Sequence, residues 1–582
     1  MRKKALFFPV LAALMLAGCS KDDVSEVIPD ETPKVFTGDE AYMSVKLADV
    51  GSITSRGSDG GFQYGNDDEH SVSTAHFYFY DEDGLFVAEG SAWNGGEDVS
   101  STPVGNIEFK SKTIVVLKGL TKKNYPKYMV TVLNKPGDFT PGQTLDEMEK
   151  TLSDENGEGI WNTVNNENFF TMSTTSYKHS DNSPYFVTEV EEENFSLEPI
   201  DADNIQSPVT VYVERLAAKV TVNVSDELEA DENGRYKITT TVAGNGNVGT
   251  DGNPAAEELY VELLGWKLNA TAKHSNMMKN IDSDWNERFG SETDGFAWND
   301  ANNFRSYWGK SYNYGLVVTA NGTYPDNFST INATDFLNYV DLNNPVGLGN
   351  FSYCAENTNT SEIVSVNFPS AVTSVLLSAK VCDKSGKGLD LVRYNGTLFT
   401  KEAFLNYILN VLNTNGKLNY WTTTDNQNYT QIDSEFVEWD NVSDGVIKVV
   451  FKRPSDETIY KKEDNSYSKV TDFTELNKDL EKAATDAIGY NGGLMYYNIP
   501  IEHLNNDEIS ETDGNKTIPE AKYGVVRNHH YVVTINKLEN MGHGIFDSNE
   551  AIVPGDDDKE TYYVGANINI LSWKIVSQNV EL

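Results

Sequence analysis

The residues best placed for chemistry near the start of the chain are those around Cys19. A basic segment, residues 2–4, precedes an apolar run at residues 5–15. This run is too short to span a bilayer, which takes about 20 apolar residues, but it has the length of the apolar part of a signal peptide. Residues 16–19, Leu-Ala-Gly-Cys, then fit a lipobox, at which the thiol of Cys19 receives a diacylglycerol. The alternative is an ordinary signal peptide with a chance cysteine.

A strand and a loop follow the polar tether that begins at this cysteine. Met43, Val45 and Leu47 alternate with other residues, and a period of two is typical of a half-buried β-strand. A Gly/Ser-rich loop, residues 51–61, comes next and carries one basic residue, Arg56. The pattern therefore predicts an early strand followed by an exposed loop.

Residue types that could catalyse a reaction or hold a metal are present, but not in a catalytic arrangement. His529 and His530 are adjacent, and adjacent strand residues point to opposite faces, so they cannot easily share a metal. The acidic turns at residues 81–84 and 556–558 could bind calcium but lack the EF-hand spacing. The HExxH, GxSxG, phosphate-loop and dinucleotide-binding motifs do not occur in the sequence. We therefore predict no enzymatic activity, no cofactor and no metal site.

Tryptophan side chains could form a platform that stacks against a glycan. Trp266 and Trp439 lie in strand patterns, which favours a place in the core. Trp93, Trp298 and Trp308 lie in loops rich in Asn and Gly and are therefore the candidates for such a platform.

Composition and charge limit the partners of the chain. The 582 residues include 46 Lys and Arg against 88 Asp and Glu, a formal net charge of −42. A chain with this charge repels nucleic acid and anionic lipid. A hydrophobic content of 39% and an aromatic content of 11% are enough for packed cores, and the length predicts two or more domains.

Two cysteines follow Cys19, namely Cys354 and Cys382. An exported protein can form a disulfide, and closing a loop of about 28 residues would stabilise the fold by roughly 3–4 kcal/mol. Two separate buried thiols are the alternative, and the sequence leaves both open. The cysteines have no CxxC spacing, so a zinc knuckle is not indicated.

Most of the chain consists of short strand patterns separated by turns rich in Asn, Gly and Asp. Such spacing predicts β-sandwiches rather than alternating strands and helices. Three segments predict helices, at residues 144–152, 400–415 and 474–485. The first carries a capping box formed by Thr144 and Glu147, and the second could be capped by Thr400.

The end of the chain has a strand pattern behind an acidic linker, where a polar and frayed terminus is the usual case. The apolar residues change phase along the segment, which predicts two short strands joined by a bulge or a kink. These strands need a sheet to join. The residues concerned are Ile568, Ile570, Leu571, Trp573, Ile575, Val580 and Leu582.

Five segments in order resemble the type V fimbrillins of Gram-negative anaerobes, and most closely the shaft subunit of the minor (short) fimbria. The segments are the lipobox together with AYMSVKL and TSRGSDG, then YMVTVLN, VERLAAKVTV, YGVVRNHHYVVTINKL and the terminal INILSWKIVSQNVEL. The resemblance runs from end to end, although residues 235–490 are covered only loosely. It implies a fold of two transthyretin-like β-sandwiches.

The resemblance also implies an assembly mechanism. A trypsin-like protease would cut the exported precursor between Arg56 and Gly57, and the strand with Met43, Val45 and Leu47 would leave its sheet. The donor strand of another copy, within residues 568–582, would fill the vacated groove. Two departures leave the register of the donor open: Ser572 stands where the family often has proline, and the preceding linker is short and acidic.

We therefore predict an all-β protein with a few short helices and five regions. They are a lipoprotein signal peptide (1–18), a propeptide with the tether and first strand (19–56), an N-terminal β-sandwich (57–226), a C-terminal β-sandwich (227–546), and the acidic linker with the donor strand (547–582).

The predicted function is that of a structural subunit of a surface fimbria that supports adhesion. The expected location is the outer membrane for the lipid-anchored precursor and the surface fimbrium afterwards. The expected partners are copies of the chain joined head-to-tail, anchor and tip subunits, the processing protease, and host or bacterial surface ligands, but no nucleic acid. The alternatives are a surface glycan-binding lipoprotein with Ig-like domains and the tip adhesin of the same fimbria.

Overall fold

A computed structural model describes the structure of part of the chain. The described residues are 41–50, 62–63, 65–92, 107–118, 120, 126–137, 139–150, 160–164, 167–174, 177–178, 184–185, 187–196, 209–244, 246, 255–280, 308–315, 336–454, 457–464, 466–503, 509–512, 515–519, 521–554 and 573–581.

Strands dominate the described residues. In the first part of the chain they are β1 (Ala41–Val50), β2 (Phe62–Gln63), β3 (Ala75–Tyr80), β4 (Phe86–Ala92), β5 (Ile107–Leu117), β6 (Tyr128–Leu133), β7 (Trp161–Val164), β8 (Glu167–Phe170), β9 (Met172–Thr174), β10 (Tyr177–Lys178), β11 (Pro184–Tyr185), β12 (Thr188–Glu189), β13 (Phe195–Ser196) and β14 (Val209–Arg215).

The strands of the second part follow in chain order. They are β15 (Ala217–Val224), β16 (Tyr236–Ala243), β17 (Ala256–Asn269), β18 (Thr271–Ala272), β19 (Leu337–Asn338), β20 (Phe351–Ala355), β21 (Ser374–Cys382), β22 (Leu391–Tyr394), β23 (Thr397–Thr400), β24 (Tyr420–Thr422), β25 (Thr430–Gln431), β26 (Val437–Ser443), β27 (Val446–Phe451), β28 (Ile459–Glu463), β29 (Ser466–Val470), β30 (Ile488–Tyr490), β31 (Leu494–Pro500), β32 (Ser510–Thr512), β33 (Asn515–Thr517), β34 (His529–Lys537), β35 (His543–Gly544) and β36 (Trp573–Glu581).

The α-helices of the described residues are few and short. They are α1 (Asp67–His70), α2 (Leu145–Lys150), α3 (Ser361–Asn367), α4 (Lys401–Thr414) and α5 (Thr474–Ala483). The three helices predicted from the sequence are confirmed as α2, α4 and α5. Thr400 caps α4 by accepting a hydrogen bond from the Ala403 backbone N–H, and Thr144 accepts one from the Glu147 N–H at the start of α2. No helix of the described residues is long and apolar enough to cross a membrane.

The first sheet closes on itself. Strands β6, β3, β4, β5, β1, β14 and β9 lie in this order, and β9 also pairs with β6, while β12 and β13 add to β6 and β1. Its interior is an apolar core that includes Met43, Phe77, Val115 and Met129, all fully buried. The closed arrangement leaves β1 with a neighbour on each side, so β1 is an interior strand and not an edge.

The second and third sheets enclose a separate core. The second sheet has the order β19, β18, β20, β15, β34, β36, β2, and the third has β26, β27, β30, β22, β23, β16, β17, β21, β31, β35. Val220 and Val533 of the second sheet share a buried cluster with Val261 and Leu377 of the third. The all-β prediction is confirmed, and the two sheets pack as a sandwich.

The chain passes from the first sheet to the second at Leu216, which is fully buried. Val211 and Val213 of β14 belong to the first core, whereas Val220 and Val222 of β15 belong to the second. The apolar positions change from odd to even numbers across this residue, because the two strands present opposite phases of the chain to their cores. The boundary between domains at residues 226 and 227 stays a prediction, but the change of sheet occurs before it.

A small layer of helices and strands covers one end of the third sheet. Helices α4 and α5 pack with a four-stranded sheet, in the order β25, β24, β28, β29, around a third buried cluster. Phe404, Ile408 and Leu480 of the helices are fully buried in this cluster together with Ile459 of β28. The helices are therefore additions to a β framework, as the sequence predicts.

Candidate functional site

The strand predicted around Met43 is β1, and it is hydrogen-bonded on both sides within the first sheet. It runs antiparallel to β5 along its whole length, with Ala41 opposite Leu117 at one end and Val50 opposite Ile107 at the other. On the other side its second half runs parallel to β14, starting with Val45, and its first half pairs with β13. Removing β1 would therefore open a slot between β5 and β14.

Met43 fills part of the core beneath this slot. Its side chain is fully buried with the aromatic and aliphatic residues of the first core. Val45 and Leu47 lie in the same strand, opposite Thr113 and Ser111 of β5. Cys19, Arg56 and Gly57 lie outside the described residues, so lipidation and cleavage there stay predictions.

The C-terminal strand β36 belongs to the second sheet, not the first. It runs parallel to β34 from Lys574 opposite His529 to Glu581 opposite Lys537, and antiparallel to the two residues of β2. Trp573, Ile575 and Val580 of the predicted donor strand lie in β36, whereas Ile568, Ile570, Leu571 and Leu582 lie outside the described residues.

The described part of the predicted donor segment is one continuous strand. The sequence predicts two short strands joined by a bulge or a kink, but Trp573–Glu581 pairs as a single strand. The one irregularity of its ladder lies between Ile535 and Lys537 on the facing strand. The pairing with β34 continues through the change of apolar phase, because backbone hydrogen bonds do not depend on side-chain type.

The two strands are matched in length. β1 has ten residues and β36 has nine, which at about 3.3 Å per residue gives lengths of roughly 33 and 30 Å. A strand with the length of β36 would cover almost the whole slot that β1 occupies.

A buried polar cluster joins helix α1 to the second sheet. Glu69, in α1, accepts a hydrogen bond from Lys219 Nζ at 2.6 Å and one from the Tyr353 hydroxyl at 2.5 Å. Arg215 Nε donates to the Glu69 carbonyl oxygen at 2.6 Å, and a second Arg215 nitrogen donates to Asn528 Oδ1 at 3.1 Å. The cluster therefore fixes the segment that follows β2 against both β15 and the loop before β34.

The pKa values in this cluster depend on burial and on Lys219. Burial by itself would raise the pKa of Glu69, but the hydrogen bonds from Lys219 and Tyr353 outweigh it, and the pKa is lowered overall. Burial, followed by the nearby Lys219 ammonium, lowers the pKa of His530 to about 3. At neutral pH the cluster therefore holds an ionised Glu69 and a neutral His530.

The two adjacent histidines are separate structural residues. His530 Nε2 lies 2.8 Å from Thr221 Oγ1, and His529 Nδ1 lies 2.7 Å from the Arg527 carbonyl oxygen. Both are buried on opposite faces of β34. Among the described residues, no group of three or more His, Cys, Asp or Glu side chains is placed to hold a metal ion.

Cys354 and Cys382 are free thiols, so the disulfide alternative does not hold in this structure. Cys354 lies in β20 of the second sheet and Cys382 in β21 of the third, and both are buried. The strands place the two thiols in different layers, and a short spacing in sequence does not bring them together.

Of the tryptophans considered as a glycan platform, Trp308 is buried with only 1% exposed, which makes it part of the interior. Trp93 and Trp298 lie outside the described residues. Trp266 and Trp439 are buried, as their strand patterns predict. The sequence reasoning passed over Trp421, which lies on the surface of the four-stranded sheet.

The sequence reasoning also missed Glu69, Lys219 and Tyr353. The available signal was Lys219, a charged residue within the apolar run of β15, because a buried lysine needs a carboxylate partner. The sequence does not single out which of its many carboxylates is that partner.

Residues 489–579 match the protein family described as "Major fimbrial subunit protein type IV, Fimbrillin, C-terminal". The C-terminal part of the chain is fimbrillin-like. The matched segment contains β31, β34 and most of β36, so it includes most of the C-terminal strand and the strand that pairs with it. The resemblance to fimbrillins is thereby confirmed for this part, while the assignment to the minor fimbria stays a prediction.

Two solved structures from Parabacteroides distasonis are similar to this chain. One is a fimbrial assembly protein with 14% identity and a TM-score of 0.26, covering 59% of this chain and 83% of its own. The other is a proposed cell adhesion protein with 10% identity and a TM-score of 0.31, covering 93% and 98%. No curated protein matches the chain.

Proposed function

We propose that this chain is a structural subunit of a cell-surface fimbria that polymerises by donor-strand exchange. The observation that carries the proposal is the position of β1, an interior strand paired on both sides. It lies ahead of a loop with a single basic residue, Arg56, at which a protease can separate it from the rest of the chain.

Loss of β1 would leave an open slot in the first sheet. The backbone N–H and C=O groups of β5 and β14 that face β1 would lose their partners, and the groove beneath Met43 would be exposed. Unpaired strand edges and an open apolar groove favour the addition of another strand. Before cleavage β1 itself fills the slot, because its covalent connection gives it a high effective concentration.

The C-terminal strand of a second copy is the proposed replacement. β36 nearly matches β1 in length, lies mostly in the fimbrillin-like region, and belongs to a different sheet from the slot. A donor strand in the second sheet and a slot in the first are different surfaces, so their contact between copies is heterologous, and heterologous contacts that do not close generate filaments.

The cluster around Glu69 limits what cleavage releases. The proposed cut between Arg56 and Gly57 lies before β2 and α1, and Glu69 ties α1 to Lys219 and Tyr353 by buried hydrogen bonds. The new N-terminal segment therefore stays attached to the body of the chain, and β1 with its tether is the part that departs.

Export and anchoring are also proposed. Cys19 would carry the acyl chains that hold the precursor at the outer membrane until cleavage separates anchor from subunit. The expected partners are further copies of the chain, anchor and tip subunits and the processing protease, and the proposed role is structural rather than catalytic. We expect Cys19→Ala to abolish labelling of the precursor with palmitate. A mutant that still incorporates palmitate would show that Cys19 is not the acylation site.

The experiment that tests the function uses the purified precursor, mild trypsin, N-terminal sequencing and electron microscopy. We expect a new N-terminus at Gly57 followed by filaments. Arg56→Ala should stay uncut at this site and monomeric, whereas Arg56→Lys, which trypsin still cleaves, should form filaments. Filaments formed by uncut Arg56→Ala would exclude this cleavage from the mechanism.

A further inference from the structure

The four-stranded sheet beside α4 and α5 packs part of one face on the third buried cluster and leaves its other face open to solvent. Tyr420 and Ile459 point inward and are 5% and 1% exposed. Residues next to them in the strands point outward, because neighbouring strand residues alternate between faces. We call the outward face the aromatic face and define it by Trp421, Tyr429, Tyr460, Lys462, Tyr467 and Lys469.

Four aromatic rings meet on the aromatic face. Tyr429 and Tyr467 stack with ring centroids 3.7 Å apart and planes 3° from parallel. Trp421 packs edge-on against Tyr467 at 5.8 Å, and Tyr460 packs edge-on against Tyr429 at 5.2 Å. All four side chains are half-buried, so the cluster is fixed in position and still partly open to solvent.

The charge of the aromatic face is opposite to that of the chain. Its strand positions carry Lys462 and Lys469 and no carboxylate among the described residues, although acidic residues outnumber basic ones 88 to 46 overall. Lys462 Nζ lies 5.5 Å from the centre of the Trp421 ring and 5.8 Å from that of Tyr467. No ion pair to either lysine is present in the described part of the chain.

An amide-rich loop borders the aromatic face between β24 and β25. Asn426, Gln427 and Asn428 are exposed, and Asn426 Oδ1 accepts a hydrogen bond from the Tyr460 hydroxyl at 3.2 Å. The carboxylate of Asp425 accepts hydrogen bonds from the backbone N–H groups of Gln427 and Asn428. These hydrogen bonds hold the Asp425 carboxylate in position within the loop.

We propose that the aromatic face binds an acidic polysaccharide. Sugar rings present C–H groups that pack on aromatic faces, and their hydroxyl groups pair with amides such as those of the bordering loop. The lysines favour a glycan that carries negative charge, since a neutral one would leave both ammonium groups without a counter-charge. This site lies outside the slot and the C-terminal strand and is independent of the proposed polymerisation.

The size of the face favours a glycan over a protein partner. Four strands about 4.8 Å apart with at most five residues each cover an area of roughly 14 by 16 Å, or about 230 Å². A stable protein–protein contact buries about 800 Å² on each partner, so this face is too small to hold one alone. A short run of sugar rings fits the available area.

The test measures retardation of the full-length chain in native gels that contain dextran sulfate, polygalacturonate or neutral dextran. Dextran sulfate and dextran share a backbone and differ in charge, while polygalacturonate supplies carboxylates in place of sulfates. We expect binding to at least one charged polymer and none to dextran. Added salt should weaken the binding, because the lysine contribution is screened.

Variants separate ring stacking from unspecific charge attraction. Trp421→Ala, and separately Lys462→Gln with Lys469→Gln, should weaken binding at least tenfold, and Trp421→Phe should weaken it less. The matched controls are Tyr407→Ala, an aromatic residue of α4 that is 40% exposed, and Lys417→Gln, an exposed lysine of the same region. Neither control should change binding, and the thermal unfolding of each variant shows whether it is folded.

Three results would overturn the proposal. The first is dextran bound as tightly as dextran sulfate, and the second is unchanged binding of the charged polymers by folded Trp421→Ala. The third is binding of neither charged polymer, and self-association that Lys462→Gln and Lys469→Gln abolish would then make the face a protein interface instead.

Discussion

Lys219 Nζ lies 2.6 Å from Glu69 Oε1, and this buried ion pair joins residues that are 150 positions apart in the chain. Glu69 belongs to the short helix that follows β2, and Lys219 belongs to the first strand after the change of sheet. The pair therefore connects the segment next to the proposed cleavage site with the centre of the second sheet.

Replacing Glu69 by Gln should destabilise the precursor by about 3 kcal/mol, because breaking a buried ion pair leaves the Lys219 ammonium without its counter-charge. The matched control is Glu89→Gln, which removes a carboxylate that is 46% exposed and contacts His76 at 2.9 Å. A surface pair of this kind is worth about 0–1 kcal/mol. Urea unfolding of the three proteins gives the comparison, and equal midpoints for the two variants would contradict the role of Glu69.

Acid should lower the free energy of unfolding in two steps, through His530 and then through Glu69. Burial lowers the pKa of His530 from 6.5 to about 3, so the folded state resists protonation that the unfolded state accepts. The free energy of unfolding should therefore fall as the pH drops below about 6.5. The lowered pKa of Glu69 adds a further loss below about 4.5. The measurement is urea unfolding at several pH values.

His530→Gln identifies the first step. The variant has no imidazole to titrate, so its stability should change little between pH 6.5 and 5, where that of the parent chain declines. A decline of the same size in His530→Gln would assign the effect to other groups.

Met43→Ala should affect the precursor and not the processed chain. Removing this fully buried side chain should cost about 2–5 kcal/mol in the uncut protein. After cleavage at Arg56 the strand is gone, so processed chains with and without the substitution should be identical. The matched control is Ser44→Ala in the same strand, whose buried hydroxyl has no hydrogen-bond partner within the described structure. Unfolding midpoints measured before and after cleavage test the prediction, and a difference that persists after cleavage would contradict it.

A disulfide between β2 and β36 should prevent polymerisation. Gln63 and Trp573 are opposite each other in an antiparallel pair, where Cα atoms are about 4.5–5.5 Å apart and a disulfide can form. We expect the processed Gln63→Cys, Trp573→Cys chain to stay monomeric when oxidised and to form filaments on reduction. Cys354 and Cys382 are buried and should not interfere.

Gln63→Cys alone is the control for this lock, because it carries one new thiol and cannot form the bond. It should polymerise under both conditions, as judged by electron microscopy. If the oxidised double variant also formed filaments at the normal rate, β36 would not be the donor strand.

Local patterns in the sequence predicted the elements that local physics determines. The period of two around Met43 predicted β1, and the possible cap at Thr400 predicted the start of α4. Strand periodicity and helix capping depend only on residues a few positions apart, so a single sequence is enough to predict them.

Features that depend on distant partners were not predictable in the same way. The pairing of Glu69 with Lys219 and the placement of β36 beside β34 depend on how the sheets close. The change of sheet at Leu216 was not predicted, because it depends on which sheet each half of the run at residues 209–224 joins. The aromatic face was missed because Trp421 and Tyr467 become neighbours only when the four strands pair.

The connection at Leu216 has a mechanical consequence. A single residue separates β14 from β15, and the hydrogen bond from Arg215 to Asn528 at 3.1 Å crosses beside it. Hinges require several residues that can change their backbone angles, and this connection consists of Leu216 alone. In the proposed filament, tension on a subunit would therefore pass directly from the first sheet to the second through this short connection.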